Sequence, residues 1–179
     1  MKAMVIILGF VLSQFQPVLH GQTIYKGTAD LLKKTRIIEF TSGSATDSIK
    51  IQIQKNTIVF QDQAQDQVII RKIKKGYEIV KSNPETCDTI KLSTMRAAAE
   101  LPNSNNLRIT SEKYNELKIC DSQGDLIVEA SSVQKGKRLF LTIEISGDLY
   151  RKEMISFAAN YLITQNKIRN SPNPAIYNY

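Results

Sequence analysis

The chain has 179 residues, of which 42% are hydrophobic, and a formal net charge of +7. This composition suits one folded domain with a substantial core, and it excludes an intrinsically disordered protein. The single histidine, His20, lies in the N-terminal segment. Because many nucleophiles and transition-metal sites depend on imidazole, a chain that loses this segment has few ways to build either.

The N-terminal segment has the layout of a secretory signal peptide. Lys2 gives a short positive region, and residues 4–12 form an apolar run that is too short to cross a bilayer. Gly21 supplies a small residue near the expected cut. We therefore predict a signal peptide over residues 1–22, no transmembrane span in the mature chain, and a secreted, periplasmic or cell-envelope location. The alternative is an uncleaved N-terminal anchor.

Short segments rich in β-branched residues follow, and several of them alternate polar with apolar residues at period two. These predicted strands are residues 36–40, 48–53, 57–60, 68–73, 77–80, 89–92, 107–110, 116–120, 126–130 and 139–145. Gly, Asn, Pro and Ser separate them at the spacing of hairpins rather than of crossover helices. Residues 30–34 suggest a single helical turn, and residues 95–100 suit either a strand or a helix.

The C-terminal section changes to a helical pattern. Asp148 is the predicted N-cap, and Asn170 with Pro172 marks the end. Residues 154–163 are apolar except for Ser156 and Asn160, so this helix needs protein or a membrane interface on most sides. The fold that satisfies this is all-β with one C-terminal helix: a closed antiparallel barrel of about eleven to twelve strands around a central hydrophobic helix. The predicted domain spans residues 23–170, and residues 171–179 form an irregular tail.

The last third of the chain resembles a known superfamily. Residues 124–130, the turn at Gly136, the strand 139–145, and Gly147-Asp148 opening an apolar helix over 149–163 look like the closing section of the tubby C-terminal, LURP-one-related and phospholipid scramblase superfamily. The resemblance implies a barrel around a hydrophobic C-terminal helix, with phosphoinositide binding or membrane association. No residue here matches the lipid-binding or calcium residues of that superfamily.

Cys87 and Cys120 are the two cysteines of the chain. In an exported protein an even number of cysteines favours a disulfide, so we predict a bond between them. The alternative is two separate buried thiols.

Clustered basic residues are the candidate ligand-binding positions. They are Arg71, Lys72, Lys74, Lys75, Lys135, Lys137 and Arg138, with Arg151 and Lys152 as a further pair. A convergent patch of these residues would suit an anionic lipid or an acidic polysaccharide. The alternative is scattered solvated charge, and no aromatic RNA-binding motif or basic helix points to nucleic acid.

Carboxylates are the candidates for an enzyme, because a facing pair can hydrolyse glycosides without histidine. The acidic candidates are Asp121, Asp125, Glu129, Glu144 and Asp148. Residues 121–124 read first as a turn, they lack the pattern of a calcium loop, and no metal or cofactor motif is present. We therefore predict an exported non-catalytic domain with a ligand-binding (lipid headgroup or glycan) or envelope-structural role and no cofactor; the alternative is a carboxylate-based secreted hydrolase.

Overall fold

The structure is a computed structural model that describes residues 21–43, 48–61, 66–82, 87–94, 107–148 and 150–170. The predicted signal peptide up to residue 20, the segment 95–100 and the tail 171–179 lie outside the described residues. The elements are β1 (Gln22–Asp30), β2 (Thr35–Ser42), β3 (Ser48–Gln54), β4 (Thr57–Phe60), β5 (Gln67–Ile73), β6 (Gly76–Ser82), β7 (Cys87–Ser93), β8 (Leu107–Lys113), β9 (Glu116–Cys120), β10 (Leu126–Lys135), β11 (Arg138–Ser146) and α1 (Arg151–Arg169).

The strands form a closed barrel in the order β1-β11-β10-β9-β8-β7-β6-β5-β4-β3-β2. Neighbours run antiparallel except β7 and β8, which pair in parallel through Leu92 with Leu107 and Ser93 with Arg108. In an all-antiparallel ring the directions must alternate, so the number of strands must be even. The single parallel pair is what allows eleven strands to close.

The predicted fold class is confirmed, and alternation of side chains explains how the wall is built. In β11, Leu139, Leu141, Ile143 and Ile145 are buried while the residues between them face outward or lie at intermediate depth. Period-two alternation sends these four side chains to one face, which closure of the sheet turns into the interior. The β-branched segments of the sequence therefore supply both the wall and its lining.

Helix α1 fills the barrel. Eleven tilted strands about 4.8 Å apart close into a ring roughly 20 Å across, and a helix with its side chains is about 10–12 Å wide. The remaining gap is filled by one layer of wall side chains. Residues 153–163 of α1 are all buried, and Phe157 is only 1% exposed. The largely apolar surface of the helix is therefore matched by the apolar lining of the barrel.

The start of α1 differs from the prediction. The helix begins at Arg151 with Tyr150 as N-cap in the left-handed conformation, at φ 57°, and no side chain caps it. Asp148 lies two residues before this N-cap, too early in the chain to act as the cap itself. Its carboxylate instead forms an ion pair with Arg151. The C-terminal end is as predicted, since Asn170 is the C-cap and its backbone N–H bonds to the Asn166 carbonyl.

Strand β1 was not predicted from the sequence, although it closes the barrel by pairing with β11 along its whole length. Its inward positions include Gly27, and a Cβ there would lie 2.7 Å from the Phe40 ring. The missing side chain thus makes room for Phe40. Beyond Asp30 the chain turns, with the Leu32 N–H donating to the Asp30 carboxylate at 3.0 Å, where a helical turn was predicted.

The predicted Cys87–Cys120 disulfide is not present, and Cys120 has a free thiol. Cys120 on β9 pairs with Arg108 on β8, and Arg108 pairs with Ser93 at the end of β7. Cys87 lies at the other end of β7. The stretch from Cys87 to Ser93 is about 20 Å long, and a disulfide needs Cα atoms within about 7 Å. The register rules the bond out. The Cys120 sulfur instead lies 3.5 Å from the Thr110 hydroxyl oxygen.

Candidate binding site at one end of the barrel

Strand direction gathers a set of turns at one end of the barrel. The turns that follow β1, β3, β5, β8 and β10 all lie at this end, because those strands run in the same direction. The C-terminus of α1 emerges there too: the Asn170 amide donates to the Gln134 side chain at 3.0 Å, and the Arg169 guanidinium lies 3.9 Å from the centre of the Tyr114 ring. We use the name basic end for this region. It consists of the five turns, the two strand residues that flank each turn on either side, and the last turn of α1.

Positive charge is concentrated at the basic end. Its cations are Lys33, Lys34, Arg36, Lys55, Lys72, Lys74, Lys75, Lys113, Lys135, Lys137, Arg138, Lys167 and Arg169, and its described acidic residues are Asp30, Glu112 and Glu116. At the opposite end the described cations Lys81, Arg108, Arg151 and Lys152 meet the acids Asp66, Asp121, Asp125, Asp148 and Glu153. The excess positive charge of the described chain therefore lies at one end of the barrel axis.

The predicted basic clusters fall at or beside this end but on opposite sides of the ring. One is the β5–β6 hairpin and the other the β10–β11 hairpin, with β7, β8 and β9 between them on the shorter path. They are separated by roughly the 20 Å diameter of the barrel, and cations of the other turns lie between them. Arg151 and Lys152 begin α1 at the opposite end and do not join them.

Within these clusters, side chains point to different faces. Lys72 pairs with Tyr77, whose ring packs on Phe157 of α1, so both face the barrel interior at its mouth. Arg71 faces outward from the same strand. Lys135 also faces outward, with its ammonium 5.8 Å from the centre of the Phe140 ring. Only Lys72 of the predicted residues lines the mouth.

Two cations that the sequence did not single out lie close together at the basic end. Arg36 is only 4% exposed, and its guanidinium donates to the carbonyls of Lys34 at 3.4 Å and Leu31 at 3.3 Å. Burial lowers the pKa of Arg36, while the charge of Asp30 opposes the change. Desolvation, followed by the nearby charge of Arg36, lowers the pKa of Lys167. An anion placed here would relieve this like-charge repulsion.

A cavity of about 300 Å³ opens at the mouth of the barrel, between α1 and the wall formed by β5 and β6. Its lining combines aromatic and aliphatic side chains with amides, a hydroxyl and one cation: Asn56, Ile70, Lys72, Tyr77, Phe157, Asn160, Tyr161, Thr164, Gln165 and Ile168. Such a mixture of apolar walls and a few polar groups is typical of small-molecule sites.

Electrostatics at the mouth are set by two tyrosines and a carboxylate. Glu112 pairs with the buried Leu117, so its side chain faces the interior side of the wall. Although part of Glu112 faces solvent, desolvation raises the pKa of its carboxyl, and the charge of Lys72 opposes that shift. Burial, followed by the charge of Glu112, raises the pKa of Tyr77 and of Tyr161, so both phenols stay neutral.

The carboxylate candidates are not brought into one cleft. Asp121 accepts hydrogen bonds from the backbone of Gln123 and Asp125, each at 2.9 Å, as the turn interpretation requires. Glu129 and Glu144 are direct neighbours on β10 and β11 and lie on the outer wall, where Glu129 pairs with Lys118 at 2.7 Å. Asp148 is bound to Arg151 at the start of α1. Asp121, Glu129 and Asp148 thus have structural partners.

The comparisons with known proteins assign no relative. No protein-family model, no curated protein and no solved structure matches the chain. The resemblance to the tubby-like superfamily therefore stays a prediction. Within the part of the chain that the structure describes, no helix combines the length and apolar character that crossing a membrane demands.

Proposed function

We propose that this protein is an exported, non-catalytic β-barrel that binds anionic lipid surfaces through its basic end. The observation that carries the proposal is that exposed apolar side chains and cations share this end. Leu32 and Tyr114 lie in its turns, 68% and 44% exposed, and Ile37, Val133 and Phe140 lie on the outer wall next to it. Cations that flank exposed apolar side chains suit the headgroup region of a bilayer.

The turn that carries Leu32 is held in place by its neighbours. Arg36 donates to the carbonyls of Leu31 and Lys34, and the Leu31 N–H donates to the Lys137 carbonyl at 2.9 Å. These bonds join the β1–β2 turn to the β10–β11 turn and leave Leu32 exposed to solvent, next to Lys33 and Lys34 in the chain. Because the turn is already ordered, insertion of Leu32 into a membrane interface would cost little additional conformational entropy.

An anionic lipid surface explains more of these features than a polysaccharide does. Both would neutralise the cations, but a polysaccharide offers no apolar phase for an aliphatic side chain as exposed as Leu32. Tyr114, the aromatic residue in the turns, has its ring covered by the Arg169 guanidinium. The exposed aliphatic residue therefore favours lipid.

The test is co-sedimentation with phosphatidylcholine vesicles that contain or lack phosphatidylglycerol. We expect binding only to the anionic vesicles, and loss of binding as salt is raised. A lysine near an anionic leaflet contributes about 1 kcal/mol, so Lys33→Gln/Lys34→Gln should weaken binding by about 2 kcal/mol, roughly thirtyfold. Lys26→Gln/Lys50→Gln, which removes two exposed lysines from the middle of the wall, is the matched control and should bind as wild type.

Three outcomes would contradict the proposal. Equal binding to neutral and anionic vesicles would remove the role of charge, and equal loss in both double variants would remove the role of the basic end. Binding to an acidic polysaccharide such as polygalacturonate, with none to vesicles, would assign the basic end to a glycan. Leu32→Ser distinguishes insertion from pure charge attraction, since it should weaken vesicle binding without changing the salt dependence.

A further inference from the structure

The cavity at the mouth of the barrel is lined by a polar group of the helix. Asn160 is 7% exposed and lines the cavity. With Ser156 it is one of the two polar residues in the run 154–163 of α1. Because Asn160 borders the cavity, its amide is placed to bond to a group that enters there.

The walls next to Asn160 are rigid and aromatic. Tyr77 meets Phe157 edge to face with ring centres 5.2 Å apart, and it meets Tyr161 in the same way at 6.3 Å. Interlocked rings of this kind keep a defined shape and offer flat apolar surface to a ligand. The wall therefore suits a hydrocarbon or aromatic body rather than a sugar or a hydrated ion.

Charge at the mouth selects the polar part of the ligand. Lys72 shares the inward face with Tyr77 and lines the cavity, so its ammonium is placed to meet a group that enters from solvent. Glu112 also faces the interior side of the wall at this end, and its charge opposes an incoming anion. The surrounding excess of cations at the basic end outweighs that single carboxylate and draws anions to the mouth.

We propose that this cavity is a binding site for a small amphiphilic anion. The apolar or aromatic body lies against Tyr77, Phe157 and Tyr161, the Asn160 amide bonds to a polar atom of the ligand, and Lys72 pairs with a carboxylate or sulfonate at the mouth. The site is distinct from the membrane-facing turns, and it requires no vesicle for binding.

The test uses 8-anilinonaphthalene-1-sulfonate, an aromatic anion whose fluorescence rises in apolar surroundings, with octanoate, octanol and octylammonium as competitors. We expect saturable fluorescence that octanoate displaces better than octanol, and octylammonium least of all. Lys72→Met should weaken the binding of 8-anilinonaphthalene-1-sulfonate and of octanoate about tenfold, because a charge-assisted contact is lost. Arg71→Met is the matched control: it removes the adjacent cation, which faces outward, and should bind as wild type. Glu112→Gln should bind the anions more tightly.

Asn160→Leu tests the amide directly. It should abolish displacement by octanoate while leaving the thermal midpoint unchanged or higher, which separates a ligand-binding role from a structural one. If this variant does not fold, the comparison of Lys72→Met with Arg71→Met, both surface substitutions, decides the question. The proposal is overturned if no probe binds saturably, if octylammonium competes as well as octanoate, or if the two surface variants bind alike. Vesicle binding by the Lys33 and Lys34 turn is measured separately, so either proposal can fail without the other.

Discussion

Replacing Phe157 with alanine tests whether α1 is the core of the domain. Phe157 is 1% exposed, and its ring packs 5.2 Å from the ring of Tyr77 and 6.1 Å from that of Tyr161. Truncation removes a large buried side chain and the edge-to-face contact with the wall. Phe→Ala changes in cores cost about 3–5 kcal/mol, which includes the loss of such aromatic pairs.

The cavity beside Phe157 affects where in this range the change should fall. Because one side of the ring already borders open space, fewer contacts are lost than in a solid core, and we expect about 3 kcal/mol. For a domain of this size a urea m-value of about 2 kcal/mol/M is reasonable, so the unfolding midpoint should fall by about 1.5 M. This is a large part of the total stability of a typical domain.

The assay is urea unfolding followed by circular dichroism, with Phe140→Ala as the matched control. Phe140 lies on the outer wall and is 41% exposed, so its truncation should cost about 1 kcal/mol or less. An equal shift of the midpoint in both variants would refute the reasoning, because it would mean that α1 packs no more tightly than the surface of the wall.

Three further predictions concern charge and thiol chemistry. Lys81 pairs with Glu153 at 3.2 Å, and the Glu153 side chain is 8% exposed. Lys81→Met should therefore lower the thermal midpoint, because it leaves the buried Glu153 charge without this partner. The double variant Lys81→Met/Glu153→Gln should recover much of the lost stability, because the buried charge is then gone. Iodoacetamide should label Cys120 in the non-reduced native protein, and protection that reduction removes would contradict the free thiol. Since desolvation raises the folded-state pKa of Glu112 above its ordinary 4.5, the stability it contributes is fully present below pH 4.5 and is lost as pH rises through the folded-state pKa. Glu112→Gln should remove that part of the pH dependence, and an unchanged profile would show that another group causes it.

The architecture could be predicted because it follows from local patterns. A helix with an apolar run such as residues 154–163 is stable only when protein surrounds it. The segments of alternating polarity supply the barrel wall that does so. Strand β1 escaped this reasoning because its inward positions include Gly27, whose value lies in making room for Phe40 on the neighbouring strand β2. That requirement is a contact between two strands and leaves no periodic signal within β1.

The binding residues could be predicted only in part, for a related reason. Clusters such as Lys74-Lys75 are visible in the sequence, but the fact that separate clusters share one end depends on strand directions around the closed ring. Arg36 and Lys167 lie far apart in the sequence and become neighbours only when α1 enters the barrel. The disulfide prediction failed because cysteine number and compartment contain no information about register, which places Cys120 level with Ser93 at the end of β7 rather than with Cys87 at its start.

The uneven charge of the two ends gives the molecule an electric dipole along the barrel axis, which is also the direction of α1. The field of an extended anionic surface exerts a torque on this dipole and turns the barrel axis toward the surface normal. At about 0.1 M salt the field reaches about 10 Å into solution, so the turning takes place before any side chain touches the surface. Productive encounters then no longer depend on chance orientation. The association rate constant, as well as the lifetime of the bound state, should therefore rise as ionic strength falls.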